Sequence, residues 1–520
     1  MGTTPIMGAT DPAAHTRWWD QDAVAYHARV RPHRRACIDL RAAETLSFAE
    51  LDALIARCAG LLKTTLREPA GQRVATLLRN GLDALVLMYA CERVGAIYTP
   101  LNWRLTATEL SVLAQDSEPA LLVVEAEFAD AAGRAFAADI TTYRVDTARN
   151  PFREAVLACA PEPVRPGRPD WPCLMLYTSG TTGRPKGVVL TRANLFWASV
   201  NFAAVGEVGL ESAMLCDTPM FHTVGLVATC RCVLQQGGAV LLSEAFAPGA
   251  SLARLSDPAL GVTHYFGVPQ IAQMLCDDPG YAKADLRRLK GLFVGGAPLP
   301  APLLRRLLDD GVLLVNGYGM TETSTLTGMP IDRAAVLARP QSTGLRAPTV
   351  ELRIVAADGS DAAPGEAGEI WVRGPAVTAG YWRQPEATAA AFTDGWFRTG
   401  DAGQLDEAGY LTIVDRWKDM YISGGENVYP AEVELVIGGV PGVREVGVVG
   451  VPDERWGEVG YAFVAGAPEL SEADVRAHCR AQLARFKQPA RIRIVAALPR
   501  TASGKIRKDE LRRDATAAAD

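Results

Sequence analysis

The sequence predicts an α/β protein: a large N-terminal domain of helix-covered sheets with a β-rich subdomain, then a small α+β C-terminal domain. Three observations carry this. Apolar strands alternate with amphipathic helices from about residue 47, the texture changes to short strands and turns near residue 343, and a last segment after residue 420 has strands and a helix of its own. At 520 residues the chain also exceeds what one hydrophobic core usually organises.

Ser47 and Glu50 in "SFAELDALIARCAGLL" form a capping-box pattern ahead of an apolar run with helical spacing, so a helix starts there. "RVATLLRN" reads as a strand, "GLDALVLMYACERVG" as a helix, "AIYTPL" as a strand, Thr106 to Glu109 as a second capping box and "PALLVVE" as a further strand. This βαβαβ order favours a largely parallel sheet covered by helices. The alternation resumes at "VTHYFGVP", "LKGLFVGGAPL" and "VLLVNGYGM", and residues 161–172 read as a proline-rich linker or surface loop. "VELRIVAADGSDAAPGEAGEIWVRG" belongs to the β-rich subdomain; "VREVGVVGVP", "GYAFVAG", "RIRIVAALP" and "SEADVRAHCRAQLARF" build the C-terminal domain. No internal repeat is visible, and both termini read as frayed, the last ten residues being mostly Ala and charge.

A net charge of −6, with 22% charged residues, gives no basic footprint for nucleic acid. The N-terminus lacks a basic region followed by an apolar one, Ile6 spoils a myristoylation pattern, and apolar runs such as "ALVLMYA" are too short to span a bilayer, so a cytoplasmic protein is expected. The ten cysteines contain no CxxC pair and read as reduced thiols, with Cys230 and Cys232 alternating along an apparent strand. Neither they nor the six histidines approach metal-ligand spacing.

The stretch "YTSGTTGRPKGVV" carries the chemistry. Thr178, Ser179, Thr181 and Thr182 supply hydroxyls, Gly180, Gly183 and Gly187 let backbone N–H groups approach an anion, and Arg184 and Lys186 add charge. Lys186 is followed by Gly187 instead of the Ser or Thr of a Walker loop, so this is a cradle for a leaving polyphosphate and not a Walker NTPase.

With "PMFHTVG", "GGAPL", "NGYGMTE", "GEIWVRGP", "WFRTGD", "DRWKDMYISGGENVYP" and "PRTASGKIRK" following in order, the chain resembles the adenylate-forming superfamily of acyl-CoA synthetases, peptide-synthetase adenylation domains and firefly luciferase. The resemblance covers nearly the whole chain. It implies that a carboxylate attacks the α-phosphorus of ATP to give acyl-AMP and pyrophosphate, after which a thiol takes the acyl group. Catalysis would then rest on positioning and charge stabilisation.

The same resemblance assigns roles. Glu322 would hold Mg2+, Thr321 the α-phosphate, and Tyr318 would stack on adenine, with Asn316, Gly317 and Gly319 around it and Gly295, Gly296 and Ala297 closing the other side. Asp401 and Arg416 would hold the ribose, His222 would line the carboxylate and gate the thiol's path, and Lys505 would reach from the C-terminal domain to the carboxylate and α-phosphate. Lys418 falls at the pivot between a large domain over 1–415, which binds ATP and acid, and a mobile domain over 420–520, the hinge spanning 416–419. Trp417 is bulkier than the polar residue expected beside that pivot. Gly424 and Gly425 would wall the pantetheine arm of coenzyme A.

"GGEN" and "ERWGEV" resemble free-standing CoA ligases more than carrier-loading modules. The expectation is therefore an acyl- or aryl-CoA synthetase using ATP, Mg2+ and coenzyme A, acting on an aromatic or medium-length apolar acid. The alternatives are an adenylating enzyme that passes the acyl group to a carrier protein or amine, a relative activating a small inorganic acid such as nitrite for an aryl amine, and a non-catalytic nucleotide-binding homologue, which the intact Lys186, Glu322, Asp401 and Lys505 argue against. A homodimer is left open. By the same analogy "ASVNF", the stretch after His222, "THYFGVP" with Thr263 and His264, and the region around Gly317 and Thr325 to Gly328 would line the acid pocket.

Overall fold

Ser47 opens the helix Phe48–Leu66 with the reciprocal bonds its sequence predicts: its hydroxyl accepts from the Glu50 N–H, and the Glu50 carboxylate accepts from the Ser47 N–H. Thr106 and Glu109 do the same for the helix Ala107–Ser117. The structure, a computed structural model, describes residues 22–146, 149–164, 167–178, 185–296, 299–416, 419–423, 426–453, 456–483, 485–500 and 506–517. The chain divides into two compact units, Met1–Glu351 with Arg373–Gly395, and Leu352–Val372 with Trp396–Asp520.

The first unit contains two sheets. In the seven-stranded one, Arg73–Leu77, Ile97–Pro100, Leu121–Glu125, Thr141–Val145 and Pro172–Thr178 run parallel, and Lys186–Thr191 folds back antiparallel on Pro172–Thr178. Leu121–Glu125 is buried along its whole length, which fits the apolar run Leu121 to Val124. The nine-stranded sheet has a parallel centre of Arg35–Asp39, Ala239–Leu242, Ala213–Cys216, His264–Gly267, Gly291–Val294 and Leu314–Met320. Ser324–Gly328 then pairs antiparallel with Leu314–Met320.

In the second unit, Gly368–Arg373, Trp396–Leu405 and Leu411–Arg416 form an antiparallel array. A second sheet pairs Val443–Asp453, Gly457–Gly466 and Tyr421–Ser423 antiparallel, with Arg491–Val495 parallel on the outside. Two apolar clusters cover it, one around Val433, Val464 and Val475, the other around Val449, Phe463 and Leu511. The β-rich segments 352–372 and 396–416 pack with the C-terminal residues in this unit.

Two expectations are corrected. Cys230 and Cys232 lie on no strand: Val224–Arg231 is a π-helix and Cys232–Gln235 an α-helix. β-branched Val224, Val227 and Thr229 give the segment a strand-like composition, but its cavity-facing residues, Val224, Val227 and Ala228, recur at helical spacing. The C-terminus is also more ordered than its composition suggests. The helix Lys508–Ala517 buries Leu511 and Ala515 against the second cluster.

Candidate active site

The strand Pro172–Thr178 ends at the stretch expected to hold phosphate, and Lys186 begins the returning strand with Thr178 opposite it. Ser179 to Arg184 lie outside the described residues, as do Ala297, Trp417, Lys418, Gly424, Gly425 and Lys505. The Thr178 hydroxyl donates to the Lys186 carbonyl at 3.5 Å, tying the base of the hairpin. The Lys186 ammonium sits over the Tyr381 ring, 4.7 Å from its centroid.

Tyr381 continues to the expected magnesium ligand: its hydroxyl donates to Glu322 Oε1 at 3.1 Å, and the Glu322 carbonyl accepts the Thr378 N–H at 2.7 Å. Glu322 is only 6% exposed. Burial and the facing Glu322 carboxylate both push the Tyr381 hydroxyl's pKa up, so it stays protonated as the donor. Sequence reasoning missed Tyr381, because "AGYW" carries no catalytic pattern; only the fold of Gly380–Tyr381 onto the strand Lys186–Thr191 brings it here. No cluster of three metal-ligating side chains exists among the described residues. A single buried carboxylate fits magnesium, which takes one or two carboxylates and completes its shell with phosphate oxygens and water.

Beside this turn lies a cavity lined by Phe202, Val205 and Ala198 of the helix Arg192–Gly206, by Thr223, Val224, Val227 and Ala228, and by Phe266 and Phe293. Gly295, Gly296, Asn316, Gly317, Tyr318, Gly319, Thr325 and Gly328 form its other wall. Phe202 lies flat on Phe266, with centroids 5.2 Å apart, and Phe293 meets Phe202 edge-on at 5.6 Å. No charged side chain lines the cavity among the described residues.

His264 and Thr263 do not line it. His264 is fully buried, its Nδ1 2.7 Å from the Thr263 hydroxyl, its Nε2 2.9 Å from the Gly206 carbonyl and its ring stacked on Phe293 at 5.9 Å. It precedes Phe266 by two residues on the strand, beneath the end of the helix, and burial pushes its pKa down to about 4.

His222 sits between two environments. Its neighbour Thr223 faces the cavity, while the Phe221 ring, 4.6 Å from the His222 ring, meets Trp103 edge-on. The preceding loop is held by Asn80, whose side chain donates to the Thr218 carbonyl at 2.9 Å and accepts from the Met220 N–H at 2.8 Å. Asn80 follows "ATLLR" without any motif and was invisible in the sequence. Gly225 permits the loop's close return: a Cβ there would lie 2.5 Å from the Pro219 carbonyl oxygen.

In the second unit, Asp401 is buried at 7% exposure, with its N–H donating to the Thr399 hydroxyl at 3.1 Å. Arg416 is its register partner across the antiparallel pair.

The model of the AMP-binding enzyme family matches residues 24–382, and that of the AMP-binding enzyme C-terminal domain matches 432–505. The chain belongs to the AMP-binding enzyme family. It is 41% identical over 94% of its length to a feruloyl-CoA synthase of Amycolatopsis sp, covering 97% of that protein. It is 38% identical over 94% of its length to an indoleacetate–CoA ligase of Aromatoleum aromaticum, covering 96% of it. Its fold matches o-succinylbenzoate CoA synthetase of Bacillus subtilis in complex with its acyl-adenylate intermediate, with a TM-score of 0.84, 30% identity and coverage of 94% and 97% of the two chains. That synthetase has also been solved with ATP and a magnesium ion. Like other acyl-CoA synthetases of the family, the protein activates a carboxylic acid with ATP and magnesium as the acyl-adenylate, then forms the acyl-CoA. No helix among the described residues is long and apolar enough to cross a membrane.

Proposed function

We propose that the acid is a planar aromatic monocarboxylate of the arylpropenoate or arylacetate class. The carrying observation is the cavity itself: it is lined by phenylalanines, valines and glycines, with no charged side chain among the described residues to hold a second carboxylate. A flat apolar ring gains by burial there, whereas an unpaired carboxylate would not be desolvated. The feruloyl-CoA and indoleacetate ligases to which the chain is similar act on acids of this shape.

In the proposed reaction the acid's carboxylate oxygen attacks the α-phosphorus, the bond to the β-phosphate oxygen breaks and pyrophosphate leaves. The thiol sulfur of coenzyme A then attacks the acyl carbon, its proton passes to solvent and AMP leaves. Thr178 to Lys186 would hold the departing phosphates, Thr321 the α-phosphate and Glu322 the magnesium ion, which shields phosphate charge. Tyr318, with Gly295 to Ala297 and Asn316 to Gly319, would hold the adenine, Asp401 and Arg416 the ribose. His222 would gate the thiol, Gly424 and Gly425 would flank the pantetheine arm, and Lys505 would serve adenylation from a C-terminal domain that turns about Lys418. We place this work in the cytoplasm, a reading supported by ten free cysteines.

Pyrophosphate release across a panel of arylpropenoates, arylacetates, fatty acids and dicarboxylates tests the acid. A fatty acid or dicarboxylate as the best substrate overturns the aromatic reading. Preformed acyl-AMP offered to coenzyme A, a carrier-protein thiol and an aryl amine tests the acceptor, and light scattering reads the homodimer.

A further inference from the structure

We propose that Ser324 is a further substrate-contacting residue, whose hydroxyl donates a hydrogen bond to the acid's carboxylate during adenylation. The inference rests on the cavity being the acid's site and deepens that reading. Two independent features single the residue out. Its backbone is left-handed, with φ at 53°, a region that side chains other than Gly and Asn rarely adopt. Its hydroxyl is closed off from solvent and has no hydrogen-bond partner among the described residues, although Ser324 lines the cavity. Backbone strain and an unsatisfied buried donor at one residue are characteristic of a site shaped for a ligand.

The local fold holds this arrangement in place. Met320 stands opposite Ser324 across the antiparallel pair, and the register shifts between Tyr318 and Gly319. Gly319 must lack a side chain, because a Cβ there would lie 2.0 Å from the Ser324 carbonyl oxygen. That carbonyl accepts from the Thr323 hydroxyl at 3.2 Å, and the same hydroxyl accepts from the Met320 N–H at 3.4 Å. The backbone is therefore tied down, while rotation about the Cα–Cβ bond would turn the hydroxyl from its closed-off position to the cavity.

Position along the hairpin decides which end of the acid it meets. Ser324 lies at the turn that carries Thr321 and Glu322, whereas Gly317 and Gly328 pair at the other end, about 10 Å away at the rise of a strand. The reacting carboxylate belongs at the turn, where the α-phosphate is held, and the ring belongs towards Gly328 and Val205. A hydroxyl at the turn end can donate to the carboxylate and keep that bond to the acyl oxygen of the adenylate, with no proton transferred.

Three substitutions separate this role from a structural one. Ser324→Gly removes the hydroxyl and relieves the left-handed strain; Ser324→Ala removes the hydroxyl and keeps the strain; Ser324→Asn tolerates the left-handed backbone and restores a donor. Acid-dependent pyrophosphate release is measured with the best acid of a wide panel, beside thermal unfolding. We expect kcat/KM for the acid to fall about ten- to a hundredfold in both Gly and Ala variants, the worth of a hydrogen bond to a charged group. The KM for ATP should stay unchanged, the Gly variant should unfold no earlier than wild type, and Asn should recover most of the loss. Full activity in Ser324→Gly, or a loss confined to ring-hydroxylated acids, overturns the assignment. A panel whose best acid is not aromatic sinks the aromatic reading instead, and the Ser324 comparison is then decided on that acid.

Discussion

Tyr381 donates its hydroxyl to the Glu322 carboxylate at 3.1 Å, while its ring carries the Lys186 ammonium. One side chain thus links the cation expected on the leaving phosphates to the carboxylate expected on magnesium. Tyr381→Phe keeps the ring under Lys186 and deletes only the bond to Glu322. We expect the adenylation rate to fall about tenfold or more, as for loss of a hydrogen bond to a charged group, with a higher magnesium requirement. Magnesium titrations of pyrophosphate release check this; an unchanged curve would show that Glu322 is oriented without Tyr381.

The second unit holds a half-buried ion pair, Glu434 with Lys508 at 2.8 Å, and Glu434 also accepts the Val448 N–H at 2.7 Å. Burial pushes the Glu434 carboxyl's pKa up against the opposing pull of Lys508. At Lys508 burial favours the neutral amine, but Glu434 and Asp415 outweigh it and its pKa is raised. Lys508→Met alone leaves a half-buried carboxylate without its cation and should cost about 1–3 kcal/mol. The double variant Glu434→Met with Lys508→Met should be more stable than either single one. Denaturant unfolding of all four proteins measures this, and additive losses would mean that the two charges act separately.

Much of this architecture was legible because it follows from local rules. The Ser47 and Thr106 caps, the buried strand Leu121–Glu125 and the parallel order all stand where periodicity and capping put them. Phe202, Phe266 and Thr325, from the stretches expected around the acid, line one cavity. What failed to show was set by tertiary contact. Tyr381 reaches Glu322 across 59 residues, Asn80 reaches Thr218 across 138, and His264 is placed in the core by a carbonyl 58 residues away. No short-range pattern encodes such distances. Ser324 differs, since its signal is a backbone angle that composition does not reveal.

His264 predicts an acid limb in stability. It is neutral when folded, its pKa held near about 4 by burial, whereas an unfolded histidine titrates near 6.5. Between these values the unfolded chain binds more protons, so stability rises with pH through the window and is lost as pH falls through it. The full effect is about 3 kcal/mol. His264→Phe keeps the stack on Phe293 and removes the titration, though it strands the Gly206 carbonyl and should lower stability at pH 7. Its melting temperature should therefore change less between pH 7 and 4.5 than that of wild type. Equal slopes would assign the acid lability to other groups.

The last prediction concerns the pivot. Asp415 and Asp419 flank it, and both are anchored: Asp415 accepts the Ala431 N–H at 2.6 Å, at the start of the helix Pro430–Gly438, and Asp419 pairs with Arg512 at 3.3 Å. Both partners are C-terminal residues, so a turn of the C-terminal domain about Lys418 would have to break the Asp415–Ala431 bond. Lys418→Pro fixes φ near −65° and removes a backbone N–H, so a residue that must change its dihedrals between steps would be locked. Where the adenylating conformation tolerates that φ, first-turnover pyrophosphate release should persist while thioester formation falls by orders of magnitude. Lys505→Ala should do the reverse, abolishing adenylation while sparing thioester formation from supplied acyl-AMP. The two half-reactions are measured separately, with thermal unfolding as the control for folding. A matched loss in both steps of Lys418→Pro, or no loss in either, rules out Lys418 as the pivot.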